Sequence, residues 1–218
     1  MACNVVMFCW VNNSREWLYS STYLLTVAFT TTEFKAVTYG SAVKLTHSLS
    51  EYKLHSHGVN YGSGSGQQSV TGFSEADDPN SLWTVKPTID VKDFLRGQPV
   101  KCNSFIRLQH VETKKFLHSH NHKSPLSMQQ EVSAYDGNDT GDNWKLICRE
   151  SSSVWLREEK VQLMHQDTKT YLTANIDKMY GNPIHGQLEV ATSRSGDKYT
   201  MWAAQEGVYF QDLTTQLE

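Results

Sequence analysis

Ile106-Arg107-Leu108-Gln109-His110, followed by Leu117-His118-Ser119-His120, carries two patterns at once. Ile106, Leu108 and His110 alternate with period two, the spacing that places side chains on one face of a strand. Leu117, seven residues after His110, opens a second run of the same kind. The device recurs upstream as Val43-Lys44-Leu45-Thr46-His47, with Leu54-His55-Ser56-His57 at the same interval. Downstream, Val161-Gln162-Leu163-Met164-His165 leads after that interval to Leu172-Thr173-Ala174-Asn175. Each unit continues in one order. Gln67-Gln68-Ser69-Val70, Gln129-Gln130-Glu131-Val132 and Gln187-Leu188-Glu189-Val190 come next, then Trp83, Trp144 and Trp202. From repeat histidine to repeat tryptophan the gaps are 36, 34 and 37 residues.

Short polar turns such as Val111 to Lys115 and Gln166 to Thr170 join the first two runs of a unit as hairpins. Four short strands repeated three times predict an all-β chain closed into a barrel with a hairpin cap, the β-trefoil with pseudo-threefold symmetry. Closure removes most free strand edges. No single repeat can bury its apolar face alone, so all three must share one core. The expected repeats span about 36–92, 98–154 and 155–210 within a domain of 36–212, with 213–218 as a tail. Leu45, Leu54, Leu108, Leu117, Leu163 and Leu172 are expected to be buried, with the three tryptophans in equivalent core layers.

The balance of charge narrows the function. The 218 residues hold 20 Lys and Arg against 23 Asp and Glu, a net charge of −3, which lacks the positive excess that binds a phosphate backbone. Nucleic acid is therefore not an expected partner. No run of ~18 or more apolar residues occurs, so no stable membrane-spanning helix is expected. Residues 1–35 differ from the rest: Arg15 precedes the apolar-leaning run Trp17 to Phe29, and Thr30 to Thr32 follow it. That is the outline of a secretory signal peptide, diluted by Ser20, Ser21, Thr22 and Thr26. The alternative is a buried strand or a tail.

The run Leu54 to Gly72, with its Leu-His-Ser-His start and Gly62-Ser63-Gly64-Ser65-Gly66 loop, closely resembles the stromal cell-derived factor 2 family. So do Leu117-His118-Ser119-His120, Ser124-Pro125-Leu126 and Gln130-Glu131-Val132-Ser133-Ala134. The family is built of MIR repeats, shared with protein O-mannosyltransferases, inositol trisphosphate receptors and ryanodine receptors. The resemblance implies three MIR repeats in the endoplasmic reticulum lumen. It also implies a role in protein quality control beside a lumenal J-domain co-chaperone, a BiP-type chaperone and unfolded clients. Family members usually end in a His-Asp-Glu-Leu-type retention signal, whereas this sequence reads Thr214-Thr215-Gln216-Leu217-Glu218. Retention through partners, or an altered end, is then expected.

In a closed trefoil repeat the entry and exit strands lie close together, and family members resemble this chain at both Cys102 and Cys148. A bond between these two is expected in an oxidising lumen, with a pair of buried thiols as the alternative. Cys3 and Cys9 fall in the leader. Asn138-Asp139-Thr140 is a possible glycosylation acceptor in a polar turn, and Asn12-Asn13-Ser14 another in the leader.

His55 with His57, and His118 with His120 and His122, have ligand-like spacing, but nothing joins them into a recognisable zinc pattern. The repeat histidines His47, His110 and His165 are better read as hydrogen-bonding to loop backbone. No metal and no cofactor are expected. The Gly62–Gly66 loop lacks the Lys-Ser or Lys-Thr of a phosphate loop and reads as an adaptable surface loop. No nucleophile, base and orienting group are brought together, so no enzyme is expected. The candidate binding face is the loop Gly58 to Gln67 with His57, Tyr61, Gln67 and His120. The alternative to the chaperone role is a lectin-like module for mannose-type glycans, or an accessory factor of O-mannosylation. Tyr61 with Gln67, or Tyr135 with Asp136, would then supply an aromatic platform beside polar groups. The third repeat has lost the Leu-His-Ser-His element, so three equal pockets are not expected.

Overall fold

The computed structural model describes residues 35–91, 94 and 96–211. The expected leader apart from Lys35, the expected tail 213–218, Cys3, Cys9 and the possible acceptor Asn12 lie outside the described residues. The first repeat supplies β1 (Ala42–His47), β2 (Lys53–Asn60), β3 (Gln68–Phe73) and β4 (Leu82–Pro87). The second supplies β5 (Phe105–His110), β6 (Phe116–Lys123), β7 (Gln130–Tyr135) and β8 (Trp144–Cys148). The third supplies β9 (Val161–His165), β10 (Tyr171–Met179), β11 (Leu188–Ser193) and β12 (Trp202–Val208).

Six of these strands close a ring by antiparallel pairing. Val43 lies opposite Trp83 and Val85 opposite Leu108, which joins β1, β4 and β5. Ile106 opposite Trp144 and Leu146 opposite Leu163 add β8 and β9. Val161 opposite Trp202 and Leu45 opposite Ala204 bring in β12 and return to β1. The remaining hairpins β2–β3, β6–β7 and β10–β11 meet one another through β3–β7, β7–β11 and β11–β3 contacts and cap the barrel. This is the expected trefoil. Among the described residues the only helical pieces are 3-10 turns at Pro79–Ser81, Thr140–Asp142 and Lys198–Thr200.

The landmark residues form the core as the repeat pattern requires. The six repeat leucines and Trp83, Trp144 and Trp202 are fully buried, together with Trp155. A buried indole N–H needs an acceptor, and each of the three repeat tryptophans finds the leucine that opens its own cap hairpin. Trp83 Nε1 donates to the Leu54 carbonyl at 2.8 Å, Trp144 to Leu117 at 2.9 Å and Trp202 to Leu172 at 3.0 Å. Each 3-10 turn is started by an aspartate. Asp78, Asp139 and Asp197 accept the backbone N–H two residues on, from Asn80, Gly141 and Tyr199.

The repeat histidines do more than brace their own loops. His110 packs on Trp83, His165 on Trp144 and His47 on Trp202, with ring centroids 5.0, 5.1 and 5.0 Å apart. Every one of these pairs joins neighbouring repeats. Nε2 donates to a carbonyl of the preceding repeat's 3-10 turn region: Asn80 for His110, Gly141 for His165 and, around the ring, Tyr199 for His47. Nδ1 is left as an acceptor for the N–H three residues on, from Thr113, Thr168 and Ser50. Both nitrogens are used only if the imidazole is neutral, and burial lowers the pKa of all three.

Cys102 and Cys148 form a disulfide with a Cα separation of 5.6 Å, as expected from the closed repeat. Cys102 enters beside the strand that Cys148 ends, and its N–H donates to the Ser153 carbonyl at 3.0 Å.

Candidate functional site

The four candidate residues lie near the hairpin cap but do not make one face. Tyr61 is only 8% exposed, and its hydroxyl lies 3.0 Å from the carbonyl oxygens of both Val70 and Val132. Burial holds its pKa well above the usual phenol range. The expectation of an exposed aromatic platform at Tyr61 is therefore corrected: two cap strands offer it acceptors, and the ring fills the space between them. Tyr135 is half-buried with its ring 4.8 Å from His118, whereas Asp136 is exposed.

His57 and His120 occupy equivalent places in different repeats rather than one site. His57 is half-buried, its ring 5.1 Å from His55, with Nδ1 accepting the Val59 N–H at 3.3 Å. His120 stands between His118 and His122, at 4.9 and 4.4 Å. Burial lowers the pKa of both, and the neighbouring histidines lower that of His120 further. Gln67 reaches the second repeat, where its Oε1 accepts from Ser133 Oγ at 2.5 Å.

What binds this region together is a carboxylate that the sequence offers only as part of a repeat landmark. Glu131 is fully buried, with one carboxylate oxygen accepting from Ser65 Oγ and the other from the Ser65 N–H at 3.3 Å. His120 Nε2 lies 3.6 Å from the same carboxylate. The Gly62–Gly66 loop is thus pinned from the second repeat, not loose as its composition suggests. Gly64 is required there, since its φ is +66° and a Cβ would collide with the Glu131 carboxylate. Glu189 repeats the device one unit on. It is fully buried and accepts the N–H groups of Leu126 at 2.7 Å and Ser127 at 3.0 Å, with Asn175 Nδ2 also at 3.0 Å. The signal in the sequence was the pair of Glu-Val dipeptides after the repeat glutamines, where the first repeat has Ser69-Val70.

The leading histidines of the Leu-His-Ser-His elements are structural in geometry. His55 Nδ1 donates to Asp78 at 2.7 Å, and Ser81 Oγ donates to the same oxygen at 2.7 Å. Burial pulls the His55 pKa down. Burial alone would raise Asp78, but the hydrogen bonds from Ser81, His55 and the Asn80 N–H bring it below the usual carboxylate range. In the second repeat Asp142 replaces Ser81, so His118 faces Asp142 at 2.9 Å and Asp139 at 3.7 Å. Burial raises the Asp142 pKa. These three groups have the spacing a cation would accept, yet they reproduce the hydrogen-bonded bracing of the first repeat. Asn138 is exposed, with its Oδ1 accepting from Arg107 at 2.6 Å.

The MIR domain profile matches residues 54–202. A stromal cell-derived factor 2-like protein of Dictyostelium discoideum is 50% identical over 182 residues, covering 81% of this chain and 85% of that protein. The chain belongs to the stromal cell-derived factor 2 family. Among solved structures, the SDF2-like protein of Arabidopsis thaliana matches this family member with a TM-score of 0.78 and 47% identity, over 81% of this chain and 98% of that one. A Saccharomyces cerevisiae protein O-mannosyltransferase complex, solved with its sugar donor, matches at TM-score 0.70 and 28% identity. That likeness covers 80% of this chain and 26% of the other.

Proposed function

We propose that this family member is a non-catalytic component of protein quality control in the endoplasmic reticulum lumen. It works beside a lumenal J-domain co-chaperone and a BiP-type chaperone and helps hold unfolded clients. Family membership carries the reading, through 50% identity spread over 85% of a relative's length. The Cys102–Cys148 bond supports an oxidising compartment, where such bonds persist. The cap supports a contact role: Val59, Leu126, Met128, Ile176 and Met179 are exposed at or near the three hairpin tips. Half of the ten large apolar side chains exposed among the described residues are these five, and apolar groups at the tips suit contact with a protein partner.

A second reading rests on the likeness to the O-mannosyltransferase complex. In it the chain is a lectin-like module for mannose-type glycans or an accessory factor of O-mannosylation. Mild crosslinking in lumenal extract followed by capture of the full chain separates the two. Recovery of the J-domain and BiP-type proteins, resistant to free mannoside, is the expected result. Recovery only of mannose-bearing proteins, released by mannoside, would overturn the chaperone reading.

A further inference from the structure

The third repeat departs from the other two where it meets the second, and a polar groove of about 520 Å3 lies there. His122, Lys123 and Gln129 form one wall, and Thr192, Ser193 and Arg194 the other; no carboxylate is among the lining residues. Strand register shows how the third hairpin differs from the other two. Leu172 lies opposite Thr192 as Leu54 lies opposite Gly72 and Leu117 opposite Ala134. Ser193 therefore stands where the other repeats have Phe73 and Tyr135. Those rings pack on His55 and His118 at 4.9 and 4.8 Å. The third repeat has Thr173 at the histidine position, and its hydroxyl turns to the Tyr199 carbonyl at 2.7 Å. Both rings of the pair are absent from the third repeat's hairpin.

Two further observations point to an occupant. Thr192 is 2% exposed, and among the described residues its hydroxyl has no hydrogen-bond partner. A buried, unpaired hydroxyl costs stability unless something pairs it. The equivalent residues Ala134 and Gly72 carry no such group. Lys123 and Arg194 are exposed, and neither cation is engaged in a hydrogen bond or ion pair among the described residues. The volume falls in the range of small-ligand sites, ~300–1,000 Å3, but the walls are polar instead of apolar. Such a site suits a ligand that brings its own charge and hydroxyls.

We infer that this groove binds a sugar-sized, hydroxyl-bearing ligand carrying a phosphate or a carboxylate. Arg194 and Lys123 take the anion and Thr192 pairs with a hydroxyl. A guanidinium fork matches either anion with two parallel hydrogen bonds. This site stands apart from the proposed chaperone role and does not depend on it.

The test is calorimetric titration of the full chain with mannose 6-phosphate, glucuronate and neutral mannose. Saturable binding of an anionic sugar is expected, with mannose at least about tenfold weaker, as loss of charge-assisted hydrogen bonds implies. Whichever anionic probe binds more tightly distinguishes a phosphate from a carboxylate source. Arg194→Ala should weaken binding at least about tenfold without moving the melting temperature, because the side chain is exposed. Thr192→Val should weaken it while keeping the packing volume. Ser193→Phe, which restores the ring found in the other repeats, should abolish it. Equal affinity for mannose and its phosphate, an unchanged Arg194→Ala variant, or no binding of either anionic probe would overturn the inference.

Discussion

The imidazole of His47 packs on the indole of Trp202, centroids 5.0 Å apart, and so ties the first strand of the barrel to the last. The same contact between His110 and Trp83 joins the first and second repeats, and that between His165 and Trp144 joins the second and third. A residue that recurs in every repeat thus holds each repeat to its neighbour.

His47→Ala removes the stack, takes one of two donors from the Tyr199 carbonyl and leaves the Ser50 N–H short of a partner. The expected cost is about 2–3 kcal/mol, from lost ring packing and unpaired buried groups. His110→Ala and His165→Ala should cost similar amounts, because their partners are equivalent. Urea unfolding of the three variants measures this. A loss below about 0.5 kcal/mol at all three positions would mean that the histidines are dispensable to the ring.

Acid should loosen the fold in a defined window. His47, His55, His57, His110, His120 and His165 all have folded pKa values lowered from 6.5 by burial. The unfolded chain therefore takes up protons first as pH falls, so stability is fullest above about pH 6.5 and declines below it. Asp78, held below the usual carboxylate value, adds a further loss at lower pH. Asp142, raised by burial, contributes in the opposite sense. The urea midpoint should drop between pH 7.5 and pH 5.5, and a midpoint that rises over this interval would contradict the assignment of neutral, buried imidazoles.

Reduction of Cys102–Cys148 opens a loop with a sequence separation of 46 residues. Loop-closure entropy gives a loss of about 3–4 kcal/mol. Comparing wild type with a Cys102→Ser, Cys148→Ser double variant by thermal and urea unfolding checks the figure. Identical stability would show that the bond adds nothing to the fold.

Glu131 and Glu189 make a more local prediction. Glu131→Ala should free the Ser65 amide for rapid hydrogen exchange while leaving those of Leu126 and Ser127 protected, and Glu189→Ala should do the reverse. Exchange followed residue by residue reads both. If each variant loosens both loops equally, the carboxylates act on the whole cap and not on one loop apiece.

The barrel was legible because its landmarks are apolar and periodic. Leu108, Leu117 and Trp144 must recur wherever the threefold core layers recur, and strand alternation marks their faces. The cap was harder to read. Tyr61 sits in a Gly- and Ser-rich stretch whose composition suggests exposure, yet its ring is buried by pairing between β3 and β7 from different repeats. Glu131 and Glu189 stand in the repeat landmarks, but their burial is not legible there, because a carboxylate is seldom fully buried and no sequence pattern displays the loop N–H groups and side chains that pair with them. The loss of Leu-His-Ser-His in the third repeat was visible. That Ser193 also lacks the ring of Phe73 and Tyr135 became meaningful only with the strand register.

The proposed place in a lumenal chaperone assembly is tested most directly with purified components. The full chain, a lumenal J-domain protein and a BiP-type chaperone would be mixed and resolved by size-exclusion chromatography with light scattering. A discrete complex of the chain with the J-domain protein, unaffected by excess mannoside, is the expected result. Separate elution of the chain under these conditions, with retention of the same preparation on a mannoside column, would contradict it.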